Sequence, residues 1–530
     1  MTGNMNRREF NLFLAATIAC AATGGSAYAQ ANGETLTSIV YPEPPILNLG
    51  LNQQTPTGVV AGKLYEGLLS YSRDLTPQPL LADSWDVSPD GLTYTFHLVK
   101  NAKWHDGQPF TSADVVFSCK TFLPEVHPRA RDVFSRCASI EAPDDYTVIF
   151  TLKKAFPAFL MAFETASAPM LPRHQLEGTD YRKVGAEQPP IGTGPFRFSE
   201  WVRGSHIHLT AVDGYYRQGE PKLREIYYRV IPDAASRGVS LEQGDAQLAQ
   251  WQDIEPFDVA RLAALPHLEM TTDGYEYFSP MLWIELNCRR PPMNDKRFRQ
   301  ALMHLIDREF VRDRILFGLA KAATGPISSS MRFYSADVPT YEPSVEKATQ
   351  LLDEMGLKAG SDGVRASLKF TMVPAGETWT RIAEYVRQSF AKAGIKVELQ
   401  SNDLAGWVES VSNGDFDISG NQLYQNGDPA LGVARTYISS NIRKGVMFSN
   451  TSGYSNPKVD ELFEAAAGEL DSEKRQAYYT EVQQLLVEEM PVLWLAEQRY
   501  PTIYDNRLKE VAASATGVNS NFGTVSFASN

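Results

Sequence analysis

Between residues 345 and 419, segments of helical and of strand period alternate, and few architectures accept that alternation. Val345, Ala348, Leu351, Leu352 and Met355 fall on one helical face, with Gly356 as the stop. Residues 368–373 then read as a strand. A helix follows around Ile382, Val386 and Phe390, ended by Gly394. Residues 395–399 form the next strand, 404–411 the next helix and 416–419 another strand. A β-α-β-α-β order predicts parallel strands joined by right-handed crossovers. In such a sheet, ligands lie beyond the carboxyl ends of the strands. That singles out Pro374-Ala375-Gly376-Glu377 and the stretch from Asn421 to Asp428.

The rest of the chain differs. Up to about residue 290 it is mixed, with short strands marked by the alternation of Tyr94, Phe96 and Leu98 and of Ile226, Tyr228 and Val230. A helix is expected over 112–122, and residues 492–504 are extended and placed to run back to the first part. With 530 residues the chain exceeds one ordinary core, so two or more lobes are expected. Hydrophobic residues at 43% and charged residues at 21% fit a folded globular protein. A formal net charge of -13, with no Lys/Arg cluster, argues against nucleic acid as a partner.

Residues 1–29 read as an export signal. Arg7 and Arg8 precede an apolar stretch from Phe10 to Ala22, and Ala27-Tyr28-Ala29 fits a small-x-small cleavage site, so the mature chain is expected to begin at Gln30 without a lipid on Cys20. Arg7-Arg8-Glu9-Phe10-Asn11-Leu12 resembles a twin-arginine signal; general secretion is the alternative route. No later segment has the roughly 20 apolar residues of a membrane span, so a soluble, periplasmic protein is expected. Cys119, Cys137 and Cys288 remain after the cut and match no zinc motif. Either Cys119 and Cys137 close a short disulfide loop in the oxidising compartment, or all three are buried thiols.

Several fragments imitate catalytic motifs. Gly58-Val59-Val60-Ala61-Gly62-Lys63 is one residue short of a phosphate loop, and Leu64 stands where Ser or Thr would bind magnesium. His206 and His208 share a strand face without a third ligand nearby. Trp104-His105-Asp106-Gly107 is better explained by Asp-Gly turn chemistry than as a dyad. There is no nucleophile elbow and no H-E-x-x-H, which argues against a secreted hydrolase. No cofactor is expected.

The stretch Leu81-Ala82-Asp83-Ser84-Trp85-Asp86-Val87-Ser88-Pro89-Asp90-Gly91-Leu92-Thr93-Tyr94-Thr95-Phe96-His97-Leu98 resembles the signature of the family 5 extracellular solute-binding proteins of ABC importers. The resemblance continues from Lys103 to Ser118 and through Gly192-Thr193-Gly194-Pro195-Phe196. It returns at Asn294 to Leu302 with Ile306-Asp307-Arg308, and at Tyr454 to Leu462. It implies a large two-lobed α/β periplasmic-binding-protein fold of type II. The implied first lobe is 30–285 plus 498–530, with an extra subdomain at about 71–194, and the second is 286–497. It also implies a monomer that buries a small polar solute by lobe closure and delivers it to ABC permease subunits with their ATPases. An oligopeptide or peptide-like ligand is expected; an opine, a sugar conjugate or another small polar metabolite is the alternative, and a sensing role is indistinguishable from uptake. The 8 His residues end at His304, so none lies in the loops beyond the second-lobe strands. In the family's peptide binders an Asp in the last of these loops pairs with the ligand's amino group. Aligning on Gly427-Asp428-Pro429 puts Gln425 at that position, and counting from Phe416 puts Asn426 there. A neutral amide at that point implies a weaker demand for a free α-amine. Trp407, Asn421, Tyr424, Gln425, Asn426 and Asp428 are the ligand-site candidates that the resemblance implies.

Overall fold

The computed structural model describes residues 34–447 and 449–528. The export signal, Cys20 and the cut before Gln30 lie outside the described residues.

Two large sheets organise the chain. The first has seven strands in the order Leu268–Thr271, Thr502–Asp505, Leu248–Ala249, Thr35–Val40, Glu225–Val230, His206–Ala211 and Phe196–Val202. Thr35–Val40 is parallel to Glu225–Val230 and nearly fully buried. Because successive side chains point to opposite faces, Leu36 and Val40 enter the main core while Ile39 joins a separate cluster with Leu241, Leu262 and Ile503. The second sheet has six strands, ordered Ala320–Ala322, Val492–Gln498, Met281–Leu286, Ile418–Leu423, Ala366–Thr371 and Ile395–Gln400.

The expected β-α-β-α-β unit is present. Ala366–Thr371 pairs in parallel with both Ile395–Gln400 and Ile418–Leu423, and the connecting helices are Glu377–Ala391 and Leu404–Asn413. The last strand runs over 418–423, a few residues beyond the expected 416–419. The sheet is mixed rather than wholly parallel, since Met281–Leu286 lies antiparallel to Ile418–Leu423 and to Val492–Gln498. Residues 492–504 split accordingly. Val492–Gln498 belongs to the six-stranded sheet, and Thr502–Asp505 pairs in the seven-stranded one. The chain therefore passes between the sheets at 272–280 and at 499–501.

A four-stranded antiparallel sheet, Ala82–Val87, Thr93–Leu98, Thr147–Leu152 and Cys137–Asp144, stands apart from both. The inward residues Tyr94, Phe96 and Leu98 are buried, and Phe96, Phe150, Phe159 and Phe163 pack as tilted and edge-on pairs about 5 Å apart. The expected single helix over 112–122 is Ser112–Val116 followed by a wider π turn at Phe117–Phe122. Cys119, Cys137 and Cys288 are free, so the disulfide alternative does not hold in this structure. Cys119 sits wholly buried in the π turn, and burial raises its thiol pKa, with Cys137 adding to the rise.

The motif imitations take structural places. Lys63 is buried and donates to Val518 O and Ser520 O at 2.7 Å, with its ammonium 3.9 Å from the centroid of the Phe522 ring. His105 is held by Gly192 N and Gly194 O, and burial pushes its pKa down to about 4. His208 stacks on Tyr227 at 4.1 Å. Among the described residues no group of three His, Cys, Asp or Glu side chains is placed to hold a metal ion.

Glu66 beside this region predicts a pH dependence. It is buried, accepts from Tyr215 at 2.5 Å and Asn521 at 2.9 Å, and burial pushes its pKa up to about 7. The folded state thus keeps a proton that the unfolded chain releases above its ordinary pKa of about 4.5. This contribution is fully present below that value and is lost as the pH rises to about 7. Glu66→Gln, which keeps the accepting oxygen, should be more stable relative to the parent by up to about 3 kcal/mol at pH 8 and equal to it near pH 4. Urea melts of both proteins across that range check this, and parallel curves would refute it.

Candidate functional site

The loop after Ile418–Leu423 is stitched to the crossing segment 272–280. Gln425 N donates to Phe278 O at 2.7 Å, and Gly427 N donates to Tyr277 O at 2.8 Å. Asn426 takes a left-handed backbone with φ 52, and Gly427 follows at φ 74. A side chain at Gly427 would meet Met161 Sδ and the Tyr277 ring at 3.0 and 3.1 Å, so the glycine admits these two neighbours.

The candidate residues divide sharply in what they can offer a ligand. Gln425 is buried; its Oε1 accepts from Ser328 N at 3.1 Å and its Nε2 donates to Pro326 O at 3.1 Å, so both ends of its amide hold the fold. Asn426 Nδ2 makes a long bond of 3.4 Å to Tyr424 O. Asn421 bonds Glu285 through Nδ2 and the Gln422 N–H through Oδ1, inside the six-stranded sheet. The Trp407 indole donates to Ser419 Oγ at 3.0 Å and is buried. Asp428 caps Pro429–Gly432 by accepting from Ala430 N at 2.9 Å and pairs with Arg475 at 2.8 Å. Its carboxylate is committed to shaping the turn.

Tyr424 is the half-buried candidate, and its ring packs among other aromatic rings. Its phenol lies within electrostatic reach of Tyr500, in the second crossing, and burial raises its pKa. Tyr500 stacks on Trp251 at 3.9 Å with 9° between planes, and Tyr275 meets Tyr500 edge-on at 5.5 Å. Gln422 Nε2 also bonds the Tyr500 hydroxyl. Phe278 lies 5.4 Å from the Tyr424 ring. Elements of both large sheets thus meet around one aromatic wall.

Polar groups that the sequence reading did not single out lie beside that wall. Gln250, next to Trp251, is buried with neither Nε2 nor Oε1 bonded, and Gln252 Oε1 is likewise unpartnered among the described residues. Arg435 donates to Gly432 O at 3.2 Å and to Tyr424 O at 3.4 Å. Burial, and after it the charge of Arg129, pushes the Arg435 pKa down to about 10. No local pattern marks these side chains, because whether a polar group finds a partner is decided only on folding. The loop at 374–377 is different: it is exposed, and Glu377 pairs with Arg381 at 2.7 Å at the start of the helix Glu377–Ala391.

Residues 76–451 match the bacterial extracellular solute-binding proteins, family 5. The chain belongs to this family. The glutathione-binding protein GsiB of Pectobacterium atrosepticum is 29% identical over 486 residues, covering 90% of this chain and 89% of that protein. The oligopeptide-binding protein AppA of Bacillus subtilis is also 29% identical, covering 86% and 84% of the two chains. The solved structure of the B. subtilis AppA with a nonapeptide superposes with a TM-score of 0.79 at 26% identity over 93% of this chain and 99% of that one. The two-lobed α/β architecture is that of the family. At this level the protein is an extracytoplasmic solute receptor of an ABC importer rather than an enzyme, working with permease and ATPase subunits. Among the described residues no helix is long and apolar enough to cross a membrane.

Proposed function

We propose that this binding protein is a monomeric, periplasmic receptor for a peptide-like solute held between two lobes. The lobes would be the parts built on the seven-stranded sheet, with the four-stranded sheet as its extra subdomain, and on the six-stranded sheet. Their hinge would be the crossings at 272–280 and 499–501, which moves the first expected boundary ahead of 285 because Met281–Leu286 pairs within the six-stranded sheet. Gln250 carries the reading. A buried amide with an idle donor and an idle acceptor complements a peptide unit, which offers one of each, and leaving both idle is costly. The Trp251, Tyr500 and Tyr424 rings supply the apolar face beside it. The glutathione-, oligopeptide- and dipeptide-binding relatives favour this class over an opine. Closure follows when the solute contacts both lobes and so binds the closed state better.

Because Asp428 is committed to Arg475 and Gln425 to the fold, a free α-amine has no carboxylate partner in this loop. Native mass spectrometry of the purified protein should release a compound with at least one amide bond, and a sugar or an opine lacking one would refute the reading. Calorimetry with a bound peptide and its N-acetylated form should give affinities within about tenfold of each other. Binding abolished by acetylation would refute the assignment of Asp428.

A further inference from the structure

We propose that the serine segment 328–330 is a latch between the two crossings, a run of hydroxyl bonds to Glu497 that sets the angle between the lobes. This rests on the reading of two lobes hinged at 272–280 and 499–501 and adds the device that controls the hinge. The first crossing leaves through Ser279, a buried residue with φ 39, a left-handed conformation that a side chain keeps only where its surroundings hold it. Its hydroxyl donates to Glu276 O at 2.7 Å and meets Ser330 Oγ at 3.1 Å. Ser330 Oγ lies 3.0 Å from Ser328 Oγ, and Ser328 Oγ donates to Glu497 Oε2 at 3.1 Å. Ser329 Oγ donates to the same oxygen at 2.6 Å and accepts from Lys321 Nζ at 2.7 Å. Glu497 is the residue before last of Val492–Gln498, just ahead of the second crossing, and Gln498 N donates to Pro280 O at 2.9 Å. The end of one crossing is thus joined to the start of the other.

The proton count separates a latch from a fixed brace. Ser279 gives its proton to Glu276 O, and Ser328 and Ser329 give theirs to Glu497. Ser330 then has one proton for two neighbours at nearly equal distance, so one of its two links always lacks a proton. Glu497 is 6% exposed, and its Oε1 is buried without a donor among the described residues. An idle buried acceptor is unfavourable, so a hydroxyl freed by a change of angle gains by turning to it. Ser330 is exposed, and water replaces whichever bond it gives up. The latch therefore opens by exchanging bonds rather than by losing them. It is also tied to the loop after Ile418–Leu423. Ser328 N donates to Gln425 Oε1 and Gln425 Nε2 donates to Pro326 O, both at 3.1 Å, while Gln425 N is held by Phe278 O, next to Ser279. A solute that moves this loop acts on the serine segment and on the crossing together.

The test uses the full mature chain without solute, carrying spin labels at Lys222→Cys in the first lobe and Lys358→Cys in the second, both exposed positions. The chain without these two changes, treated with the same label, gives the background. Ser330→Ala removes one exposed hydroxyl and should broaden the distribution of distances between the labels. In the same variant the Gln498 amide should exchange at least about tenfold faster, while the Phe390 amide, inside Glu377–Ala391, keeps its protection. Tyr500→Gly is the comparison, since it removes the ring of the second crossing that stacks on Trp251 without touching the serines. A distribution that changes in Tyr500→Gly and stays the same in Ser330→Ala overturns the latch alone. A distribution that changes in neither variant overturns the hinge at these crossings and the latch with it. Faster exchange at Gln498 with an unchanged distance would mean a local brace, and it overturns the latch as well.

Discussion

Asp428→Ala is expected to destabilise the protein by about 3–5 kcal/mol, because it leaves a buried arginine without its counter-charge. The side chains of Asp428 and Arg475 are 6% and 5% exposed, and one carboxylate oxygen serves both the Arg475 guanidinium and the Ala430 N–H. Arg475 cannot swing out to water. Its Nε donates to Ala466 O at 2.8 Å and its guanidinium lies 4.8 Å from the Phe333 ring centroid. Arg475→Met should cost a similar amount from the other side, leaving a buried carboxylate. The double variant should lose clearly less than the two single losses together, since no unpaired charge remains. Urea denaturation of the four proteins measures this cycle. A loss below about 1 kcal/mol for Asp428→Ala would mean that the carboxylate is free for a ligand after all.

The parallel part of the second lobe was legible because its helices and strands alternate with clear periods. Ile382, Val386 and Phe390 are buried on one face of their helix, as their spacing requires. The strands that complete that sheet carry no such signal. Residues 492–504 read as extended, but Met281–Leu286 and Val492–Gln498 are buried on both faces, Glu285 and Glu497 included, so no alternation shows which sheet they join or in which direction they run. The loop after Ile418–Leu423 was singled out by the same topological argument, but the contacts of each side chain in it were not legible. Gln425 looks like a ligand amide until Ser328 and Pro326, 97 and 99 residues away, occupy both its ends. Trp407 is likewise turned to Ser419 inside its own lobe. Gln250 acquires meaning only from what is missing around it. A linear sequence does not display unpaired groups.

The tightest constraint on the loop is a glycine, and it yields the last large effect. Gly432 closes the short helix that Asp428 caps, and a Cβ there would stand 2.2–2.4 Å from the carbonyl and Cα atoms of Gln425. Those are backbone atoms, so no side-chain rotation relieves the clash, and the loop itself must move. Movement would break the bonds from Gln425 N to Phe278 O and from Gly427 N to Tyr277 O, and would shift Tyr424 with them. It would also displace Arg435, whose Nε is bonded to Gly432 O. Gly432→Ala should therefore destabilise by about 1–3 kcal/mol and lower the exchange protection of the Gln425 and Gly427 amides at least tenfold. Gly468→Ala is the control, since its Cβ meets only Ala155 O at an ordinary 3.6 Å, and it should change neither reading appreciably. Hydrogen exchange resolved to single amides, beside urea melts, decides the matter. Full protection of both amides in Gly432→Ala would show that the loop tolerates displacement and is not held to one geometry by its glycine.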